Sequence, residues 1–250
     1  MTRELFDLSA KRAVIVGGAG EIGLAIAKGF LDLGASVAAI DIKSNPTSPS
    51  LKNESYFEIT ADIMNRNEID SSLDVARNCL DGTIDILVNA AGIQKRNSSE
   101  NFSISDWDQV IAVNLTSVFL YSQKAAKDML QKGSGKIINI ASIMSNFGGI
   151  TIPAYSASKG GVAQLTRAMS NDLAGRGICI NAIAPGYIKT SLNSELIRNE
   201  KRTKEILERT PLGRWGEPGD LVGISIFLAS RASDFLTGTI IPVDGGYSAR

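Results

Sequence analysis

The sequence predicts an α/β domain in which a doubly wound parallel sheet of about seven strands is covered by helices on both faces. Three observations predict it. Short β-branched runs alternate with longer amphipathic stretches along the whole chain, the pattern of strand–helix–strand units. The short runs are apolar at nearly every position, as strands buried on both faces must be. The chain has 250 residues and 44% hydrophobic content, enough for one buried core, and no repeat, low-complexity tract or composition shift marks a second domain.

In chain order, strands are expected at 13–16, 36–40, 56–59, 84–89, 136–140, 178–183 and 240–243, the third having the weakest pattern. Helices are expected at 22–33, 66–80, 106–129, 157–174, 195–209 and 219–229, where apolar residues recur at helical spacing. The segment 44–50, Ser-Asn-Pro-Thr-Ser-Pro-Ser, is turn-rich surface and not a linker. Residues 1–250 therefore read as one domain. The mixed-sign stretch 195–209 reads either as a solvated helical face or, within 187–209, as a lid over a substrate.

Composition removes several function classes. Lys plus Arg is 26 and Asp plus Glu is 26, so no net positive field draws the chain to nucleic acid or anionic lipid. No apolar run approaches the ~20 residues that span a bilayer, and the first residues lack the pattern of a secretion signal. A cytoplasmic location is expected. Cys79 and Cys179 offer neither a disulfide framework nor a metal site and read as small core residues, so no metal is expected. The absence of histidine removes Ser-His-Asp, Cys-His and histidine-ligated zinc chemistry. Acid–base work must fall to Tyr, Lys, Cys or a carboxylate.

The first expected strand runs into Gly17-Gly18-Ala19-Gly20-Glu21-Ile22-Gly23. Gly18, Gly20 and Gly23 satisfy the spacing G-x-G-x-x-G, which lets backbone approach a pyrophosphate at a helix N-terminus. Asp41 follows at the end of the second strand, roughly 20 residues on, where a carboxylate accepts from ribose hydroxyls and repels a 2′-phosphate. NAD is thus expected over NADP, with the nearby Lys43 as the opposing charge. Tyr155 and Lys159 stand four apart and share one face of the expected helix. An ammonium beside a phenol is expected to lower its pKa, the natural route to a general acid–base in a chain without histidine. Ser142 stands just after the strand 136–140, on the sheet edge where ligands bind.

With Asp62 in Ala61-Asp62-Ile63, the segment Asn89-Ala90-Ala91-Gly92, Asn114 in Val113-Asn114-Leu115, and Pro185-Gly186-Tyr187-Ile188-Lys189-Thr190, the chain resembles the short-chain dehydrogenase/reductase family over essentially its whole length. The resemblance implies a single-domain Rossmann fold and hydride transfer between a nicotinamide and a secondary alcohol or ketone. It implies that Tyr155 transfers the proton, that Lys159 lowers its pKa and holds the nicotinamide ribose, and that Ser142 polarises the substrate oxygen. Asn114 would support a water relay to Lys159, Asp62 would meet the adenine amino group and Thr190 the carboxamide. Gly17, Gly20, Ile22, Gly23, Ile63, Asn89 and Ile188 complete the implied cofactor contacts. A homotetramer is also implied, with helices 106–129 and 157–174 supplying apolar faces. Three positions depart from the family pattern: Val16 replaces Thr, Ala90 replaces Asn, and Glu21 replaces Gly, so that its carboxylate must point away from the phosphates.

Within the family, Gly92-Ile93-Gln94-Lys95-Arg96, Ser105-Asp106-Trp107-Asp108, Gly148-Gly149-Ile150, Gly213-Arg214-Trp215-Gly216 and Val243-Asp244-Gly245-Gly246-Tyr247 resemble the branch acting on sugar acids of gluconate and 2-dehydro-3-deoxygluconate type. Arg96 reads as a bidentate partner for a carboxylate or as a solvated loop residue. Gln94, Met144 and Asn146 are further substrate-facing candidates beside Ser142 and Tyr155. Two other readings stand: a reductase of a neutral polyol, acyl or steroid ketone, and a non-catalytic NAD sensor, which would have no need of Asn114, Ser142, Tyr155 and Lys159 together.

Overall fold

Apolar residues on both faces of each strand force the sheet to the middle of the molecule. A computed structural model describes residues 2–43 and 54–250; the turn expected at 44–50 lies outside them. After a short helix α1 (Thr2–Leu5), the strands are β1 (Arg12–Val16), β2 (Ser36–Asp41), β3 (Tyr56–Thr60), β4 (Ile86–Asn89), β5 (Gly135–Ile140), β6 (Ile178–Pro185) and β7 (Ile240–Val243). They form one sheet in the order β3-β2-β1-β4-β5-β6-β7, and every pairing is parallel. All strand C-termini therefore lie on one edge, and the strand order reverses between β1 and β4, the usual place for a ligand in such a sheet.

The helices are α2 (Glu21–Asp32), α3 (Arg66–Cys79), α4 (Ile104–Ile111), α5 (Ser117–Lys132), α6 (Pro153–Leu173), α7 (Ser194–Arg198), α8 (Glu200–Arg209) and α9 (Val222–Ala229). On one face of the sheet Val14, Val16, Ile40, Leu87 and Ile137 pack with Ile69 and Leu73 of α3 and Tyr121 and Met129 of α5. On the other, Ala13, Ile15, Val37, Val88 and Ile183 pack with Ile26 and Phe30 of α2 and Leu228 of α9. Successive residues of β1 feed opposite cores, which is why the strand shows no polar alternation. Among the described residues no helix is long and apolar enough to cross a membrane.

Three expected helices differ in the structure. The span 106–129 is two helices joined by a π-helical turn, Ala112–Thr116. The span 195–209 breaks at Asn199, whose backbone leaves helical geometry and whose side chain accepts from Arg202 N–H, capping α8. The span 219–229 opens with a 3-10 turn, Pro218–Leu221. α6 starts earlier than expected because Pro153 occupies its first turn, where a missing N–H costs nothing. Cys79 and Cys179 are half-buried, at the margin of the core and not within it.

Candidate active site

The turn after β1 is built where only missing side chains allow it. Gly17 has φ +82°, and a Cβ there would lie 2.4 Å from Ala91 N; a Cβ on Gly23 would lie 2.2 Å from Gly17 O. Gly20 has room for a Cβ, its closest neighbour being 3.4 Å away, and it caps α2 without a side-chain bond. The first backbone N–H groups of α2 therefore face outward with no partner from the helix itself, a positive end suited to a phosphate.

Glu21 points away from this turn, as its place in the motif requires. Its carboxylate accepts from Ser191 N–H (2.8 Å) and Ser191 Oγ (3.2 Å), tying the turn to the segment after β6. Burial raises the Glu21 pKa, but the bonds from Ser191 and the charge of Lys43 outweigh it and leave the group lower than usual. Asp41 leans over the same turn, accepting from Ala19 N–H (3.0 Å) and Ile42 N–H (2.8 Å).

Asp62 follows β3 on the same sheet edge and accepts from Met64 N–H (2.9 Å), while Ile63 packs against the core. Ile188 is buried, and Ile22 is partly so, against the second core, leaving mainly backbone to meet a ligand. Thr190 is the residue before the 3-10 turn Ser191–Asn193 and makes no side-chain cap. Asn89 differs from expectation. Its amide donates to Ser122 Oγ (3.0 Å) and Asn139 Oδ1 (2.8 Å) inside the sheet, so the side chain serves the core and only its backbone borders the cleft.

Across the cleft, Ser142 Oγ accepts from Met144 N–H (3.1 Å) and lines the same cavity as Tyr155. Tyr155 lies in the first turn of α6, and Lys159 one turn later has its Nζ 5.7 Å from the Tyr155 ring centre. Lys159 is 3% exposed and donates to Ile140 O (2.6 Å). Burial alone lowers its pKa to about 8. Burial also raises the Tyr155 pKa, against opposing pulls from the Ser142 hydroxyl and the Arg96 cation. Both groups are buried together, and the Arg96 cation also pulls on the phenol.

Asn114 sits in the π turn, fully buried. It accepts from Ile93 N–H (2.9 Å) and donates to Ile93 O (2.9 Å) and Ser158 Oγ (3.2 Å). A Cβ placed on Gly92 would lie 3.6 Å from Asn114 Oδ1 and 3.7 Å from Lys159 Nζ, so the two polar groups flank the same backbone point.

Ser142 and Tyr155 form one end of a cavity of about 70 Å³ whose walls include Gln94, Arg96, Met144 and Ile150. Tyr187, Leu192, Leu196 and Arg202 also line it. Asn146 is not among these walls; it terminates the 3-10 turn Ile143–Ser145 and is exposed, a correction to its place among the substrate candidates. Arg202 was not singled out by sequence reasoning, since one cation in a mixed-sign helix carries no local signal. A larger cavity of about 190 Å³ lies beside Leu212, Arg214 and Asp244 and contains neither Ser142 nor Tyr155.

Comparison with known proteins agrees with this geometry. The sequence model of the family described as enoyl-(acyl carrier protein) reductase matches residues 17–248. The chain is 43% identical to the 2-dehydro-3-deoxy-D-gluconate 5-dehydrogenase of Bacillus subtilis (strain 168), over 99% of this chain and 98% of that protein. It is 41% identical to the 5-keto-D-gluconate 5-reductase of Escherichia coli (strain K12), over 97% of each. A crystal structure of a gluconate 5-dehydrogenase from Burkholderia cenocepacia J2315 in complex with NADP and tartrate superposes with a TM-score of 0.95 at 37% identity, covering 100% of both chains.

Proposed function

The chain belongs to the short-chain dehydrogenase/reductase family, and on that premise we propose that it interconverts a hydroxyl and a ketone on a sugar acid of gluconate or 2-dehydro-3-deoxygluconate type, using NAD. The observation that carries the reading is the convergence of Arg96, Ser142 and Tyr155 on one cavity. The glycine turn, with no room for side chains at Gly17 and Gly23 and an uncapped helix behind it, fits a pyrophosphate. Asp41, Asp62 and Thr190 stand along the same strand-end edge to hold the rest of a nicotinamide dinucleotide, which when bound supplies or accepts the hydride.

The chain's own residues supply alignment and a proton. Tyr155 Oη gives its proton to the carbonyl oxygen in reduction and takes it from the hydroxyl in oxidation, while Ser142 Oγ–H, on the same cavity, donates to the same oxygen. Lys159 Nζ, with a water that Asn114 would hold, returns the proton to Tyr155 after reduction and carries it away after oxidation. The α7–α8 segment acts as a lid. Residues 187–209 supply Tyr187, Leu192, Asn193, Leu196 and Arg202 to the lining of the cavity that also holds Ser142 and Tyr155.

Arg96 should recognise the carboxylate. A charge-assisted hydrogen bond contributes roughly 1.5–3 kcal/mol, so Arg96→Ala is expected to lower kcat/KM for a sugar acid ten- to about a hundredfold. Arg96 also acts on Tyr155, and part of any loss will fall on all substrates. Kinetics on a matched acid and its uncharged alcohol separate the two effects. Equal losses on both, or a native enzyme indifferent to the carboxylate, would move the assignment to a neutral polyol or ketone.

Cofactor choice rests on Asp41, whose carboxylate is fixed over the turn by Ala19 N–H where a 2′-phosphate would meet it. Fluorescence titration should give tighter binding of NAD than of NADP, and Asp41→Ala should shrink the difference. Tighter NADP binding by the native protein would show that Lys43 governs the pocket instead. We further infer a cytoplasmic homotetramer, favoured by Ile104, Trp107 and Phe119, which α4 and α5 leave exposed. Light scattering at micromolar concentration should give four times the chain mass of 26.6 kDa; a monomer mass overturns this.

A further inference from the structure

We propose that Arg202, on α8, is a second anchor for the substrate carboxylate and that it grips the same group as Arg96 from the opposite wall of the cavity. The inference rests on the sugar-acid reading above and extends it to the lid.

Both guanidinium groups line the cavity that ends at Ser142 and Tyr155, but they come from different parts of the fold. Arg96 stands on the loop after β4, fixed by the sheet. Arg202 stands in the first turn of α8, oriented by the Asn199 cap, which accepts from Arg202 N–H (3.1 Å). Thr203 Oγ1 donates to Leu196 O (3.1 Å) and holds α8 to α7, so Arg202 moves with both helices.

The charge of neither group is neutralised within the cavity. Arg96 donates to the neutral Gln94 Oε1 (2.9 Å), and no carboxylate among the described residues lies within ion-pair distance of it. Arg202 pairs only along its own helix, with Glu205 (2.6 Å), in a pair more than a third exposed on both sides, a geometry that contributes little. The two cations also sense each other. Burial lowers the Arg96 pKa, Glu195 opposes that, and Arg202 lowers it further. Glu195 of α7 acts on Arg96 more strongly than Arg202 does but stays beyond ion-pair distance, so both guanidinium groups keep donors free for a bound carboxylate, which would give two charge-assisted contacts. An acid therefore engages both cations, and an uncharged polyol engages neither charge.

The test is a double-mutant cycle in kcat/KM on a hexonate and on its uncharged alditol. Arg202→Gln is expected to lower kcat/KM about tenfold or more for the acid and to leave the alditol within twofold, roughly the spread of a neutral surface change. Arg202→Lys should recover part of the loss, keeping the charge without the planar fork. Glu205→Gln, which removes the same helix-surface pair, should leave both substrates unchanged. In the Arg96→Ala, Arg202→Gln double variant the acid-specific loss should fall short of the product of the single losses, because one carboxylate is shared. If Arg96→Ala abolishes the preference for acids while Arg202→Gln leaves it intact, or if Glu205→Gln reproduces the Arg202→Gln loss, the second anchor is overturned and the sugar-acid reading survives. If the native enzyme shows no preference for the acid, both fall.

Discussion

Tyr155→Phe is expected to lower turnover by at least ~10²-fold, the lower range for a positioned acid–base, with cofactor dissociation constants unchanged. The substitution deletes one oxygen from a side chain whose ring already packs in the first turn of α6, so it removes the proton donor without opening the pocket. What makes the effect large is the shortage of substitutes. The chain has no histidine, Lys159 is buried and donates to Ile140 O, and Ser142 has no base beside it other than Tyr155 itself. Single-turnover measurement of reduced nicotinamide at saturating cofactor checks the expectation; turnover within a few-fold of native would remove Tyr155 from the proton transfer.

Lys159→Met is expected to stabilise the cofactor-free protein while abolishing its turnover. Burial holds the folded-state pKa of Lys159 at about 8 against an ordinary 10.5, and each unit corresponds to about 1.4 kcal/mol. Below pH 8 both folded and unfolded chains carry the charge, and folding bears the full cost of burying it. Between pH 8 and 10.5 the unfolded chain binds the extra proton, so native stability rises with pH through that window. Methionine has no charge to bury, hence an expected gain of about 3 kcal/mol at pH 7 that fades toward pH 10.5. Urea unfolding of both proteins at pH 7 and pH 10 reads this directly. A variant no more stable at pH 7, or a gain that persists at pH 10, would mean that Ile140 O and its surroundings already offset the burial of the ammonium.

The strands were legible because burial on both faces leaves an unbroken apolar run, and the cofactor turn because its glycines are demanded by backbone contacts a few residues apart. Tyr155 and Lys159 were legible for the same reason: one helix turn sets their relation. What escaped depends on distant partners. Nothing local in Ala-Val-Asn-Leu-Thr announces a π turn, which exists where Asn114 reaches Ile93, 21 residues away. The destination of the Glu21 carboxylate, 170 residues on, was equally hidden, although the need for it to turn aside was not. Asn199 did carry a readable sign, a capping residue before a charged helical run, and the break there is what orients Arg202. Asn146 was misplaced because a 3-10 turn carries it past the cavity after Met144.

The π turn has a consequence for how this stretch can vary in length. It accommodates one residue more than a regular helix would over the same rise, and each residue of an α-helix advances the chain by about 100°. Deleting any one residue of 112–116 would let α4 and α5 merge into a single regular helix with both flanks keeping the faces they bury now, because the turn already holds the surplus residue. What would be lost is the place of the amide at 114, which now accepts from Ile93 N–H and donates to Ile93 O. The surplus residue therefore serves the amide at 114 and not the packing of the two helices, so that number as well as chemical identity is what inheritance must keep here.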